Sequence, residues 1–188
     1  MNKDLKNLID NDIYRHYEST KTPFMYKWRN PSLYYMIIFR KANFYFVHNH
    51  KIRAFYYKCK MKKLQNKYHI QIPINANIGK GFYIGHFGRV IINGDAKIGN
   101  NVNVGTGITI GYSARGKYKG TPTVGNNVWI GTNAVIVGNI TIGDDVLIAP
   151  NTYVNRDIPP HSIVIGNPAI IKSSENATKD YIIRVMEN

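Results

Sequence analysis

Thr123-Val-Gly-Asn-Asn-Val-Trp-Ile130-Gly-Thr-Asn-Ala-Val-Ile136-Val-Gly-Asn-Ile-Thr-Ile142-Gly-Asp-Asp-Val-Leu-Ile148-Ala-Pro-Asn-Thr-Tyr-Val154 returns an aliphatic residue every six positions. The same spacing links Ile92, Ile98, Val104 and Ile110, and a third run joins Ile72, Ile78, Ile84 and Val90. A six-residue period fits neither an amphipathic helix nor a lone strand; short repeats of this kind mark a parallel β-helix. Each hexapeptide supplies one short strand and one corner, so three close a coil of about 18 residues whose aliphatic side chains turn inward. Coils then stack about 4.8 Å apart. Gly99-Asn100-Asn101 and Gly125-Asn126-Asn127 suit the corners, because Gly and Asn tolerate a left-handed backbone. About five coils fit between Ile72 and Asp157.

The period breaks twice. Ile84 to Ile92 is eight residues where six are expected, with the extra pair in Gly85-His86-Phe87-Gly88-Arg89. Ile110 to Val124 is fourteen where twelve are expected, across Gly111 to Gly120. Insertions in a solenoid are expelled as loops, and loops on a rigid scaffold are where sites are built.

The whole chain, 188 residues long, has room for this solenoid and a smaller appendage. One cysteine, Cys59, excludes an internal disulfide framework and suits a reducing compartment. The charged start Met1-Asn-Lys-Asp-Leu-Lys is unlike a signal peptide, and the longest apolar run, Leu33 to Phe39, is too short to span a bilayer. A cytoplasmic protein is expected. The formal charge of +14 is concentrated in residues 1–70, which hold 15 Lys and Arg against four acids. No acid occurs between Glu18 and Asp95, so this segment is suited to an anionic partner.

Residues 1–70 also hold fifteen of the 23 aromatic residues and read as a helical segment. Asn30-Pro31 is a helix start, cap followed by first-turn proline, and a second helical stretch runs from about Lys51 to Gln65. A cap packed on the first coil is the favoured reading. Peripheral contact with anionic lipid, at the inner membrane surface, is an additional role. Nucleic-acid binding is not expected, since no nucleic-acid motif accompanies the charge.

Ile78-Gly-Lys-Gly-Phe-Tyr-Ile-Gly-His86-Phe-Gly, the hexapeptides after it, and Asp157-Ile-Pro-Pro-His-Ser-Ile-Val-Ile-Gly-Asn-Pro-Ala169 resemble the hexapeptide-repeat acyltransferases. Within them the sequence is most similar to the serine acetyltransferase branch, especially members that O-acetylate surface polysaccharides. The resemblance implies a left-handed parallel β-helix over residues 71–172, an N-terminal helical segment over 1–70 and a C-terminal tail over 173–188. It further implies a homotrimer that uses acetyl-coenzyme A as co-substrate, with no permanently bound cofactor and no metal.

By the same resemblance His86 is the catalytic base. An acceptor hydroxyl is a poor nucleophile at neutral pH, and an imidazole that removes its proton as it attacks the thioester is the group needed. Gly85, Phe87, Arg89, Asp95 and Thr121 are the acceptor-side candidates. Serine acetyltransferases carry an aspartate that orients the base, where this chain has Gln71. They carry another just before the histidine, where it has Gly85, and a second histidine before a proline, where Thr121 precedes Pro122. These departures imply a sugar hydroxyl as acceptor, with serine O-acetylation and a non-catalytic scaffold as alternatives. Gln71, a backbone carbonyl or Asp95 is left open as the group that orients the ring. On the donor side the resemblance assigns Gly111, Tyr112, Gly131, Thr132, Ala149 and Pro150 to the coenzyme arm, Arg156 and Lys172 to its phosphates, and Asn167 to the closing turn.

Gly111-Tyr-Ser-Ala-Arg-Gly116-Lys117 has the spacing of a phosphate-binding loop. Tyr118 stands where the magnesium-binding Ser or Thr is required, and nucleotide hydrolysis is rejected. His48 and His50 read as surface residues and not as metal ligands.

Overall fold

A computed structural model describes residues 2–186. Met1 of the N-terminal segment, and Glu187 and Asn188 of the tail, lie outside the described residues. Four helices come first, α1 (Lys3–Tyr17), α2 (Tyr26–Arg29), α3 (Pro31–Val47) and α4 (Lys51–Tyr68). Fifteen short strands follow, from β1 (Ile70–Gln71) to β15 (Ile170–Ser173).

The strands form the three sides of a parallel solenoid. One side is β1-β4-β7-β10-β13 (Ile70–Gln71, Val90–Ile92, Thr109–Gly111, Val135–Val137, Tyr153–Val154), the second β2-β5-β8-β11 (Asn77–Ile78, Lys97–Ile98, Thr123–Val124, Thr141–Ile142), and the third β3-β6-β9-β12-β14 (Tyr83–Ile84, Asn103–Val104, Val128–Ile130, Val146–Ile148, Ser162–Ile165), to which β15 adds an antiparallel edge. The hexapeptide aliphatics are the inward row on every side, and Ile84, Ile110, Ile130, Ile136, Ile142 and Ile148 are all fully buried. Below the corners, Asn100 N–H donates to Asn126 Oδ1 at 2.8 Å and Asn126 N–H to Asp144 Oδ1 at 2.7 Å. This side-chain ladder satisfies backbone donors where the chain turns between the second and third sides.

The second break in the period differs from the sequence reading. Ile98 pairs with Val124 and Ile110 with Ile136, so Ile110 and Val124 lie on successive sides and the whole of residues 112–122 is a single corner. The sequence reading had counted one more side here. No aliphatic residue stands at Gly116 to form one, and the segment instead pinches on itself. Ser113 and Gly120 exchange backbone hydrogen bonds of 2.9 and 3.0 Å, and Asn139 N–H donates to the Tyr118 carbonyl at 2.8 Å. The loop is therefore a small hairpin laid along the next corner.

The helices close one end of the prism. Asn30 caps α3 as expected, its Oδ1 accepting from Leu33 N–H at 3.0 Å. Tyr35, Met36 and Phe39 of α3 and Met61, Leu64 and Tyr68 of α4 are continuous with the solenoid core. The sequence reading had not resolved α1 or α2, and it ended the second stretch three residues before Tyr68. Leu5, Ile9 and Ile13 of α1 pack on Leu33, Ile37 and Phe44 of α3 as a second cluster.

Two of the N-terminal cations are buried and bound to the protein itself. Arg40 meets Asp12 through Nε–Oδ2 at 2.8 Å and Nη2–Oδ1 at 3.1 Å, and also donates to the carbonyls of Ile78 and Gly79. Asp12 in turn accepts from Phe82 N–H at 3.0 Å. Arg15 donates to the Gly81 carbonyl at 3.0 Å and to Asn103 Oδ1 at 2.6 Å. The expected membrane contact of this segment is thus corrected for Arg15 and Arg40, whose charge is spent inside the protein, and for Tyr35, Phe39 and Tyr68, which are buried in the core shared with the first coil; Phe24, Trp28, Phe46, Phe55 and Tyr56 are exposed. No helix among the described residues is long and apolar enough to cross a membrane.

The C-terminal residues are also attached. Asp145 accepts from Ala177 N–H, Thr178 N–H and Thr178 Oγ1 at 3.0, 2.9 and 2.7 Å. Further on, the Tyr181 ring meets Trp129 edge-on, and the Ile183 carbonyl accepts from Arg15 Nε at 2.9 Å. The segment runs as a strap over the third side of the solenoid and back to α1.

Candidate active site

His86 stands at the corner between the third and first sides, after β3 (Tyr83–Ile84) and before β4 (Val90–Ile92). The corners stacked beyond it carry Gly105-Thr106, Gly131-Thr132 and Ala149-Pro150. These are the residues that follow β6, β9 and β12 of the same side. Gly105 N–H, Gly131 N–H and Ala149 N–H each donate to the next coil at 2.8 Å, so these positions form one straight edge. At about 4.8 Å per coil, Gly131 lies two coils and Ala149 three coils from Gly85, roughly 10 and 14 Å along that edge. The edge is tight: a Cβ on Gly131 would come within 2.6 Å of Pro150 N, and one on Gly105 within 2.8 Å of Thr132 N. Small residues recur here because successive coils leave no room for a side chain.

The loop bearing His86 is held at both ends. The Phe87 ring lies 5.7 Å from that of Tyr68 at the end of α4, Val90 N–H donates to the His69 carbonyl at 3.2 Å, and Gly107 N–H donates to the Arg89 carbonyl at 2.6 Å. His86, Phe87 and Arg89 are exposed, and among the described residues the His86 ring has no hydrogen-bond partner.

The structure divides the remaining candidates. Gly85, Phe87 and Arg89 accompany His86. Asp95 and Thr121 lie on the edge between the first and second sides, where Thr121 Oγ1 donates to the Asp95 carbonyl at 3.3 Å. Asp95 is thereby placed on a different edge from the imidazole it was considered to orient. Gly111 and Tyr112 also belong to that second edge, whereas Gly131, Thr132, Ala149 and Pro150 share the His86 edge. The Arg156 guanidinium donates to the Ala169 carbonyl and so braces the turn that holds Asn167, while Lys172 is exposed on β15 opposite Ile163. His48 stacks on Phe44 with ring centroids 4.0 Å apart. No cluster of three metal-ligating side chains occurs among the described residues.

A cavity of about 770 Å³ opens between α4 and the outer face of the first side. Gln71 lines it together with Lys62, Asn66, His69 and Asn93. Of these the sequence reading had singled out only Gln71. Lys62 and Asn66 are one turn apart on α4, and His69 follows at its C-terminal cap.

Residues 121–156 match the family model described as bacterial transferase hexapeptide (six repeats). Serine acetyltransferase 2 of Arabidopsis thaliana is 31% identical over 125 residues, 66% of this chain and 35% of that protein. The crystal structure of Brucella abortus strain S19 serine acetyltransferase in complex with coenzyme A superposes with a TM-score of 0.76 at 23% identity, covering 92% of this chain and 69% of that one. The Neisseria gonorrhoeae serine acetyltransferase in complex with serine gives 0.73 at 24% identity, covering 92% and 70%. In sequence and fold the chain is similar to serine acetyltransferases, and residues 121–156 carry the hexapeptide transferase repeats. It spans about a third of the Arabidopsis relative's length. These comparisons correct the acceptor expected from the sequence: the relatives named here are serine acetyltransferases, one of them in complex with serine, and not sugar-modifying enzymes. The departures at Gln71, Gly85 and Thr121 had been read as a change of substrate.

Proposed function

We propose that this chain is an acetyl-coenzyme A-dependent serine O-acetyltransferase in which His86 is the general base. The observation that supports it most is the stacking of His86 on the same edge as Gly131-Thr132 and Ala149-Pro150. An extended thioester arm laid along that edge brings its acyl end toward the imidazole. The serine hydroxyl oxygen attacks the thioester carbonyl carbon while His86 takes the hydroxyl proton. The tetrahedral adduct then collapses by breaking the carbon–sulfur bond, and the departing thiolate takes the proton from the imidazolium. The products are O-acetylserine and free coenzyme A, and no covalent enzyme intermediate is needed. Cys59, on the exposed surface of α4, has no part in this scheme.

The test is thiol release by purified protein given acetyl-coenzyme A and L-serine. His86→Ala is expected to lower kcat by about 10²–10⁴-fold while coenzyme A still binds. Unchanged turnover in that variant would remove His86 from the role, and a wild-type protein that releases no thiol with serine would remove the serine reading.

A further inference from the structure

Arg15 and Arg40 are buried on protein acceptors, but a second set of cations lines the seam between α3 and α4, each laid on a tyrosine ring. Lys27, from α2, and Lys60, from α4, stand over Tyr34 with Nζ 5.7 and 5.9 Å from the ring centroid. Lys41, two turns beyond Tyr34 on α3, stands over Tyr57 at 5.8 Å, and Arg53 over Tyr45 at 5.4 Å. Tyr45 and Tyr57 stack across the seam, centroids 5.6 Å apart and planes 15° from parallel. Cation and ring thus alternate along a strip, with Arg53 and Lys60 two turns, or about 10 Å, apart on α4.

The strip is fixed from beneath. Tyr34 and Tyr57 pack on the core that continues into the solenoid, and Tyr26 and Tyr45 on the cluster shared by α1 and α3. Lys41 and Lys60 are half-buried, so their stems are held against these rings. What the strip lacks is an anion. Among the described residues the ion pairs use Asp10, Asp12, Glu18 and Asp145, none of them with a cation of the strip, and the chain has no acid between Glu18 and Asp95. Burial, with Lys60 and Lys27 close by, holds the Lys41 ammonium below the usual lysine range. Like charges are therefore kept together, partly desolvated, with ring faces as their only offset inside the chain.

The spacing of these charges selects among anions. A lone carboxylate meets one ammonium. Several cations in a row, with the Tyr26 and Tyr57 hydroxyls in electrostatic reach of Lys60, match an anion of repeated charge and many acceptor oxygens, which is the chemistry of linked phosphoryl groups.

We propose that this strip binds a ligand carrying several phosphoryl groups in a row, with Lys41 and Lys60 as the central contacts and Lys27 and Arg53 at the ends. The site lies on the helical cap and not on the edge that carries His86, so the inference is independent of the serine reading.

Calorimetric titration with sodium tripolyphosphate, compared with sodium sulfate at the same ionic strength, decides it. Lys41→Met and Lys60→Met keep an apolar stem over the ring and remove the charge; circular dichroism checks their fold. Lys41→Arg restores the charge at the same place. Lys58→Met is the control, because Lys58 is exposed and lies two positions from Lys60, on another side of α4. Wild-type protein is expected to bind tripolyphosphate about ten-fold or more tightly than sulfate, and Lys41→Met and Lys60→Met each to lose about ten-fold. Lys41→Arg and Lys58→Met are expected to stay within about two-fold of wild type. No binding of tripolyphosphate, equal affinity for sulfate, or an equal loss in Lys58→Met and Lys60→Met overturns the proposal. Tighter binding of a uridine homopolymer than of tripolyphosphate also overturns it, and gives the strip to a nucleic-acid strand instead.

Discussion

Replacing Asp12 by Ala removes the anion at the centre of the contact between the helices and the first coil. Arg40 is 2% exposed and Asp12 fully buried, and the pair is bidentate at 2.8 and 3.1 Å. The substitution leaves a guanidinium inside the protein with no counter-charge and orphans Phe82 N–H. Breaking a buried pair in this way costs about 3–5 kcal/mol. For a chain of this size that corresponds to a fall in Tm of roughly 6–20 °C.

The pH dependence separates this mechanism from a simple loss of packing. Burial pushes the Asp12 carboxyl up, against the pull of Arg40 and of backbone N–H groups. In Arg40→Met the burial remains and the cation is gone, so the folded carboxyl rises further above its unfolded value. A raised carboxyl contributes stability at low pH that is lost as pH climbs through its folded value. Arg40→Met is therefore expected to recover stability relative to wild type between pH 8 and pH 5. Asp12→Ala has no carboxyl left at this site and a guanidinium does not give up its proton, so that variant shows no such recovery of its own. Urea unfolding at several pH values measures both. A deficit under about 1 kcal/mol in Asp12→Ala, within the range of an exposed pair, refutes the reasoning.

Two further outcomes follow from the helical cap and the strap. His16 Nδ1 lies 2.8 Å from Asn30 Nδ2 and accepts from it as a neutral ring, and burial with nearby Arg15 and Arg184 pushes the imidazole down to about 4. A depressed histidine contributes stability above its unfolded pKa, lost as pH falls from about 6.5 to 4. The loss is on the order of 3 kcal/mol. His16→Gln is expected to flatten that part of the stability curve, and an unchanged acid limb would exclude His16 as its source. Asp145 gathers three donors from Ala177 and Thr178 and one from His161, which together hold its carboxyl below the usual range despite burial. Asp145→Ala is expected to release residues 174–186 to limited proteolysis while the solenoid stays resistant; equal protection in variant and wild type would show that Trp129 and Arg15 hold the strap without it.

The solenoid was legible in the sequence because its core is one-dimensional. Each aliphatic residue at a six-residue interval meets its equivalent in the next coil, as Ile98 meets Val124 and Ile110 meets Ile136. Periodicity thus encodes contact directly, and the corner holding His86 showed as a break in it. What the sequence could not convey was which residues meet across unrelated elements. Asp12 and Arg40 are 28 positions apart and read as ordinary surface charges until α1 and α3 cross over Ile78 and Phe82. Lys62 belongs to α4, His69 to its cap, Gln71 to β1 and Asn93 to the turn after β4, and only the packing of α4 on the first side makes one cavity of them. The hairpin at residues 112–120 was miscounted for the same reason: spacing records how many residues intervene, while pairing decides whether they form a side of the prism or a single corner.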